Sequence, residues 1–170
     1  MSGVIPWIAP LVVFLAVAWL ALLVAAPWLP VIATALTYAF GSLICHQIPE
    51  RSFYLGTIQL PVCARCLGIY AGFAAAASLT ILRHPVPGSD PTSRGLTPRQ
   101  ILIAGAMPTA VTWLVEWAGV WQTSNAERAV AGAPLGIAVG VMVIGALATV
   151  HYGECASRPS IAPDRPPTHI

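Results

Sequence analysis

Apolar residues fall in long blocks separated by short polar stretches. The first block runs from Trp7 to Leu29, with Trp7 and Trp28 near its ends, where interfacial aromatics sit. Pro27 and Pro30 mark a tight turn, and Val31 to Ile44 follows as a second, shorter block. Fourteen helical residues cover about 21 Å, against a hydrocarbon core of about 30 Å. This block is read as a short crossing continued toward Gln47, with a half-helix as the alternative. A third helix is expected over Pro61–Leu82. Thr97-Pro98 reads as an N-cap followed by Pro at the first helical position, opening a fourth helix to Trp121. The fifth spans Ala129–Tyr152. Gly68, Gly72 and Ala76 recur every four residues in the third helix, as do Gly132, Gly136 and Gly140 in the fifth. Such seams let helix backbones approach closely.

The pattern predicts an all-α fold, a polytopic transmembrane helical bundle of four to five spans with the second short. Residues 1–152 form one domain, with a Cys/His loop at 45–66, and 153–170 a disordered Pro-rich tail. The segment MSGVIPW lacks the positive charge of a signal peptide, so the first block is read as a retained helix. Composition agrees. The chain is 57% hydrophobic and 8% charged, with a mean hydropathy of +0.78, where soluble domains carry roughly 25% charged residues. The lipid bilayer is the expected partner. A net charge of +2 without a basic run excludes nucleic acid. A homo-oligomer or a membrane-protein partner stays open.

All eight basic residues are Arg, which with the heavy use of Ala fits a GC-rich bacterial genome. Arg83, Arg94, Arg99, Arg158 and Arg165 fall on one side of the expected bundle, and Arg51, Arg65 and Arg128 on the other. The positive-inside bias then puts the 83–99 loop and the tail in the cytoplasm. It puts the Cys/His loop on the extracytoplasmic face of the cell membrane, and five spans would put the start of the chain there too.

Chemistry concentrates in CHQIPERSFYLGTIQLPVCARCLGIYAG. Cys45, His46, Cys63 and Cys66 make C-H-x16-C-x2-C. Two thiolates two residues apart chelate one ion, and Cys45 with His46 could complete a tetrahedral Zn²⁺ site. Cu⁺ also suits thiolates. Adjacent residues rarely ligate one ion comfortably, so one of Cys45 and His46 is expected to bind, with water, substrate, Glu50 or Glu116 as fourth ligand. The second reading is membrane thiol–disulfide exchange through Cys63 and Cys66, with Arg65 favouring thiolate. Against it, a relay generally uses a second cysteine pair, and Cys155 is expected across the membrane. The third is a structural or assembly subunit whose cysteines are small buried hydrophobes.

Glu116 lies inside the fourth helix. A carboxylate at that depth needs a partner, and Arg51, Arg65 or Arg128 is expected to supply it. Ser124 or Asn125 is the expected N-cap of the fifth helix, with Glu127 in its first turn. Trp113, Trp117 and Trp121 form a stripe, read as an interfacial anchor or packing seam before a wall for a ring-shaped ligand. His84 and His151 are expected at the cytoplasmic side.

CHQIPERSF, PVCARCLGIYAG and SNAERAVAGAPLG together resemble the prokaryotic membrane proteins of domain of unknown function 2085, over about residues 36–140. By that resemblance the family signature falls on Cys45, His46, Gln47, Arg51, Ser52, Cys63, Arg65, Cys66 and Gly68, with Asn125 and Arg128 in the later element. The family commonly carries an Asp before that element, where the nearest acid here is Glu116. The resemblance strengthens the choice of site and implies no activity.

Overall fold

The computed structural model describes residues 5–82 and 97–156, with side chains at 7–82 and 97–147. Most of the 83–99 loop, with Arg83, His84 and Arg94, lies outside the described residues. So do the side chain of His151 and the chain from 157, with Arg158, Arg165 and the expected disordered tail. The fold is mainly helical: α1 (Ile5–Ala25), α2 (Val31–Ile44), α3 (Ala64–Leu82), α4 (Pro98–Trp117) and α5 (Asn125–Ala156). Three segments, Trp7–Trp28, Ala64–Leu82 and Asn125–Leu147, are long and apolar enough to cross a membrane. α4, at 20 residues, matches them in length.

The all-α expectation needs one correction. The loop between α2 and α3 holds an antiparallel hairpin, β1 (Ser52–Leu55) and β2 (Ile58–Cys63), pairing Leu55 with Ile58 and Tyr54 with Gln59. Gly56, at φ +64, opens its two-residue turn, a backbone conformation that glycine adopts without a Cβ clash. α3 therefore starts at Ala64 rather than Pro61.

α3 and α5 are the most closely packed helices. A Cβ on Gly68 would run into the Ala129 carbonyl, and one on Gly136 into the Ile69 carbonyl, so the two glycine seams face each other. Thr109 on α4 donates to the Ala131 carbonyl of α5 at 2.8 Å. The helix ends obey local rules. Thr97 and Gln100 form a capping box with Pro98 at the first position. Ser124 and Glu127 do the same for α5: Ser124 N donates to Glu127 Oε2 at 2.6 Å, and Glu127 N to Ser124 Oγ at 3.2 Å. α4 stops at Trp117 rather than Trp121 because Gly119 takes φ +68. Gly119 N then donates to the Glu116 carbonyl and Val120 N to that of Val115, closing the helix in a Schellman motif.

Both ends of α2 sit at the same end of the bundle. Near its start, Thr34 Oγ1 donates to the Ala26 carbonyl just past α1. Its last residue is followed by Cys45, packed on Leu23 of α1 and Val62 of β2. Between them the Tyr38 hydroxyl donates to the Gln59 carbonyl. α2 is thus tied near its start to the segment after α1 and further along to the hairpin.

Candidate metal centre

Three elements deliver three thiols to one place. Cys45 follows α2, Cys63 ends β2, and Cys66 lies in the first turn of α3. Their Sγ atoms all lie within 4.8 Å of one another. Cys63 N donates to Cys45 Sγ at 3.2 Å, so the α2 exit is tied directly to the strand end. Sulfurs around one tetrahedral Zn²⁺ at about 2.3 Å stand about 3.8 Å apart, within reach of small side-chain rotations. Leu23 and Val62 enclose Cys45 together with Trp19, Leu67 and Tyr70. Cys63 and Cys66 are only half-buried, so the cluster has an apolar back and an open front.

Hydrogen bonding from the Cys66 thiol holds the Cys63 thiol well below its ordinary range, at about 5; burial opposes the shift, and the Cys66 backbone and the Cys45 thiol add to it. Cys63 directly precedes α3, where backbone amides and the helix dipole favour a thiolate.

His46 does not join the cysteines. Cys45 is extended (φ −147, ψ 139), successive side chains of extended backbone point to opposite sides, and the His46 side chain is exposed. Glu50 is exposed as well. Among the described residues, no fourth His, Cys, Asp or Glu completes the group. The backbone of Cys155 lies near the far end of α5, about 45 Å along the helix from Asn125.

The early end of α4 leaves Glu116 one residue from the helix terminus rather than deep in a span, and it has the partners that its burial demands. Its side chain is 4% exposed, and Arg128 Nε donates to Oε1 at 2.8 Å, with Arg65 and Arg51 at 3.7 and 4.0 Å. It is therefore taken up by arginines and is not a fourth metal ligand. Arg65 NH2 also donates to Thr112 Oγ1. Arg128 NH1 donates to Asn125 Oδ1 at 2.9 Å and to the Glu50 carbonyl at 3.2 Å.

Gln47, Ser52 and Asn125 hold the hairpin in place. Gln47 takes φ +51, and its Nε2 donates to the Tyr38 and Pro61 carbonyls, each at 2.8 Å. Ser52 is fully buried; its hydroxyl donates to the Ile48 carbonyl, and its carbonyl accepts from Asn125 Nδ2 at 2.8 Å. Gln59 escapes sequence reasoning: its Nε2 bridges the Gln47 carbonyl and Ser52 Oγ. The one signal for it was the Leu-Gly-Thr-Ile turn, which reads as a two-residue hairpin loop. Trp113, Trp117 and Trp121 all face outward, Trp117 at 78% exposure, as anchors do and an internal ligand wall does not.

These elements carry a family signature. A family model described as predicted membrane protein (domain of unknown function 2085) matches residues 45–142, and the chain belongs to that family. An uncharacterized protein of Methanocaldococcus jannaschii is 33% identical over 102 residues, 60% of this chain and 62% of that one. An uncharacterized protein of Methanothermobacter thermautotrophicus is 30% identical over 99 residues, 58% of this chain and 83% of that one. The matching stretch is thus shorter than two thirds of the first relative. No solved structure matches the chain.

Proposed function

We propose that this is a membrane protein with a thiolate metal centre of Cys45, Cys63 and Cys66, suited to Zn²⁺ or another thiophilic ion. The observation that carries the reading is the convergence of three sulfurs from three elements within 4.8 Å. The half-buried front leaves a fourth position for water, substrate or a partner's side chain, so the centre is an exchanging or reacting site rather than a closed structural one. Metal analysis of the purified chain tests this: bound metal should disappear when Cys63 and Cys66 become Ser.

The topology follows from α2. With α2 held to the hairpin through Tyr38 and α4 as long as the apolar spans, the reading is four crossings of the cell membrane by α1, α3, α4 and α5, with α2 at the cysteine face. The arginine bias places that face outside, which puts the start of α1 on the cytoplasmic side. A cysteine at position 2 should be shielded from an impermeant thiol reagent in intact cells, while one at Thr57 is labelled.

Thiol–disulfide exchange stays as the second reading, because the Cys66-to-Cys63 hydrogen bonding favours a Cys63 thiolate. It requires Cys63 and Cys66 and tolerates loss of His46.

A further inference from the structure

We propose that Arg51, Arg65 and Arg128 form a binding site for a phosphate-type oxyanion at the cysteine end of the bundle. Three guanidinium groups converge on the single carboxylate of Glu116, leaving two positive charges in excess at a place largely withdrawn from water. Among the described residues, the other acids at that end form no ion pair with them. Glu127 caps α5 through Ser124, Glu50 is exposed, and among the described residues neither lies within ion-pair distance of an arginine.

Donors as well as charge are left over. Arg65 Nε is buried with no hydrogen-bond partner. Arg51 stands 4.0 Å from Glu116 Oε2, too far for a hydrogen bond, and that oxygen is itself without a donor. The Arg51 side chain is 43% exposed and forms the open side of the cluster, behind which Arg128 is locked by Glu116, Asn125 and the Glu50 carbonyl. Planar guanidinium forks match the paired oxygens of phosphate, which an ammonium does not. Charged groups buried among apolar helices ordinarily mark a ligand or ion path. A lipid phosphodiester and free phosphate share the required chemistry.

The full chain in nanodiscs of phosphatidylcholine would be titrated with inorganic phosphate, and the detergent-purified chain examined by native mass spectrometry for retention of phosphatidylglycerol over phosphatidylcholine. Saturable phosphate binding, weakened at least tenfold by Arg51→Gln, identifies a free-anion site. Selective retention of phosphatidylglycerol, lost in Arg51→Gln, identifies a headgroup site. Arg51→Lys, which keeps the charge and loses the fork, should fall between wild type and Arg51→Gln in anion binding while all three unfold alike; a merely structural Arg51 would lower unfolding stability in step with binding. The proposal is overturned if neither anion binds, or if Arg51→Gln binds as the wild type does. Metal content of Arg51→Gln should stay at the wild-type value, which separates this test from that of the cysteine centre.

Discussion

Replacing Glu116 by Ala removes the carboxylate that accepts from Arg128 Nε at 2.8 Å and faces Arg65 and Arg51 at 3.7 and 4.0 Å. The Arg128 and Glu116 side chains are 8% and 4% exposed, so the pair is largely withdrawn from water. Breaking such a pair from one side costs roughly 3–5 kcal/mol, because the surviving charge stays buried. Arg128 keeps Asn125 Oδ1 and the Glu50 carbonyl as acceptors, which places the expected loss near the lower end, about 3 kcal/mol. Glu116→Gln retains an acceptor and should lose less. Arg128→Met combined with Glu116→Ala should cost less than the sum of the single changes, by about 2 kcal/mol, since the two share one contact. The assay is reversible unfolding in mixed micelles at fixed ionic strength, followed by tryptophan fluorescence. A loss below about 1 kcal/mol for Glu116→Ala, or simple additivity in the double mutant, would refute a buried ion cluster here.

Three further outcomes are expected. Gly136→Val drives side-chain atoms into the Ile69 carbonyl, whereas a Cβ on Gly145 meets nothing within 4 Å. The first should cost about 2 kcal/mol or more in the same unfolding assay and Gly145→Ala should cost little. His46→Ala should leave the metal content unchanged, because the His46 side chain is exposed and lies outside the sulfur cluster; metal loss in that variant would restore His46 as a ligand. In metal-free protein, alkylation of Cys63 should rise with a midpoint near pH 5 rather than at its ordinary 9.0. The fold favours the ionised form, so the contribution of Cys63 to stability is complete above pH 9 and fades as the pH falls toward 5. A midpoint near 9 would remove the hydrogen bonding argued for it.

Features governed by local rules were legible in the sequence. The apolar blocks, the caps at Thr97 and Ser124, and the glycine spacing each depend on a few neighbouring residues and on the absence of water around a span. The pairing of Glu116 with arginines was legible for a related reason, since a lone carboxylate among apolar residues has few stable states. The hairpin was not, because its short strands lack a sustained alternation of apolar and polar residues and its pairing depends on contacts across the turn. That omission carried over to His46, whose direction depends on the extended backbone at Cys45, and to α2. A block of 14 residues is too short to settle crossing from composition, and its course depends on tertiary bonds from Thr34, Tyr38 and Gln47. The same bonds make Gln47 and Ser52 supports of the hairpin rather than parts of the metal centre.

The most direct test of the thiolate centre is metal content with thiol titration on detergent-purified chain, wild type beside Cys63→Ser/Cys66→Ser. The expected result is about one metal per chain, absent from the variant, with wild-type thiols released only on chelation. Metal-free wild type, with two thiols that appear only after reductant and are missing from the variant, would contradict it and leave a Cys63–Cys66 disulfide in its place.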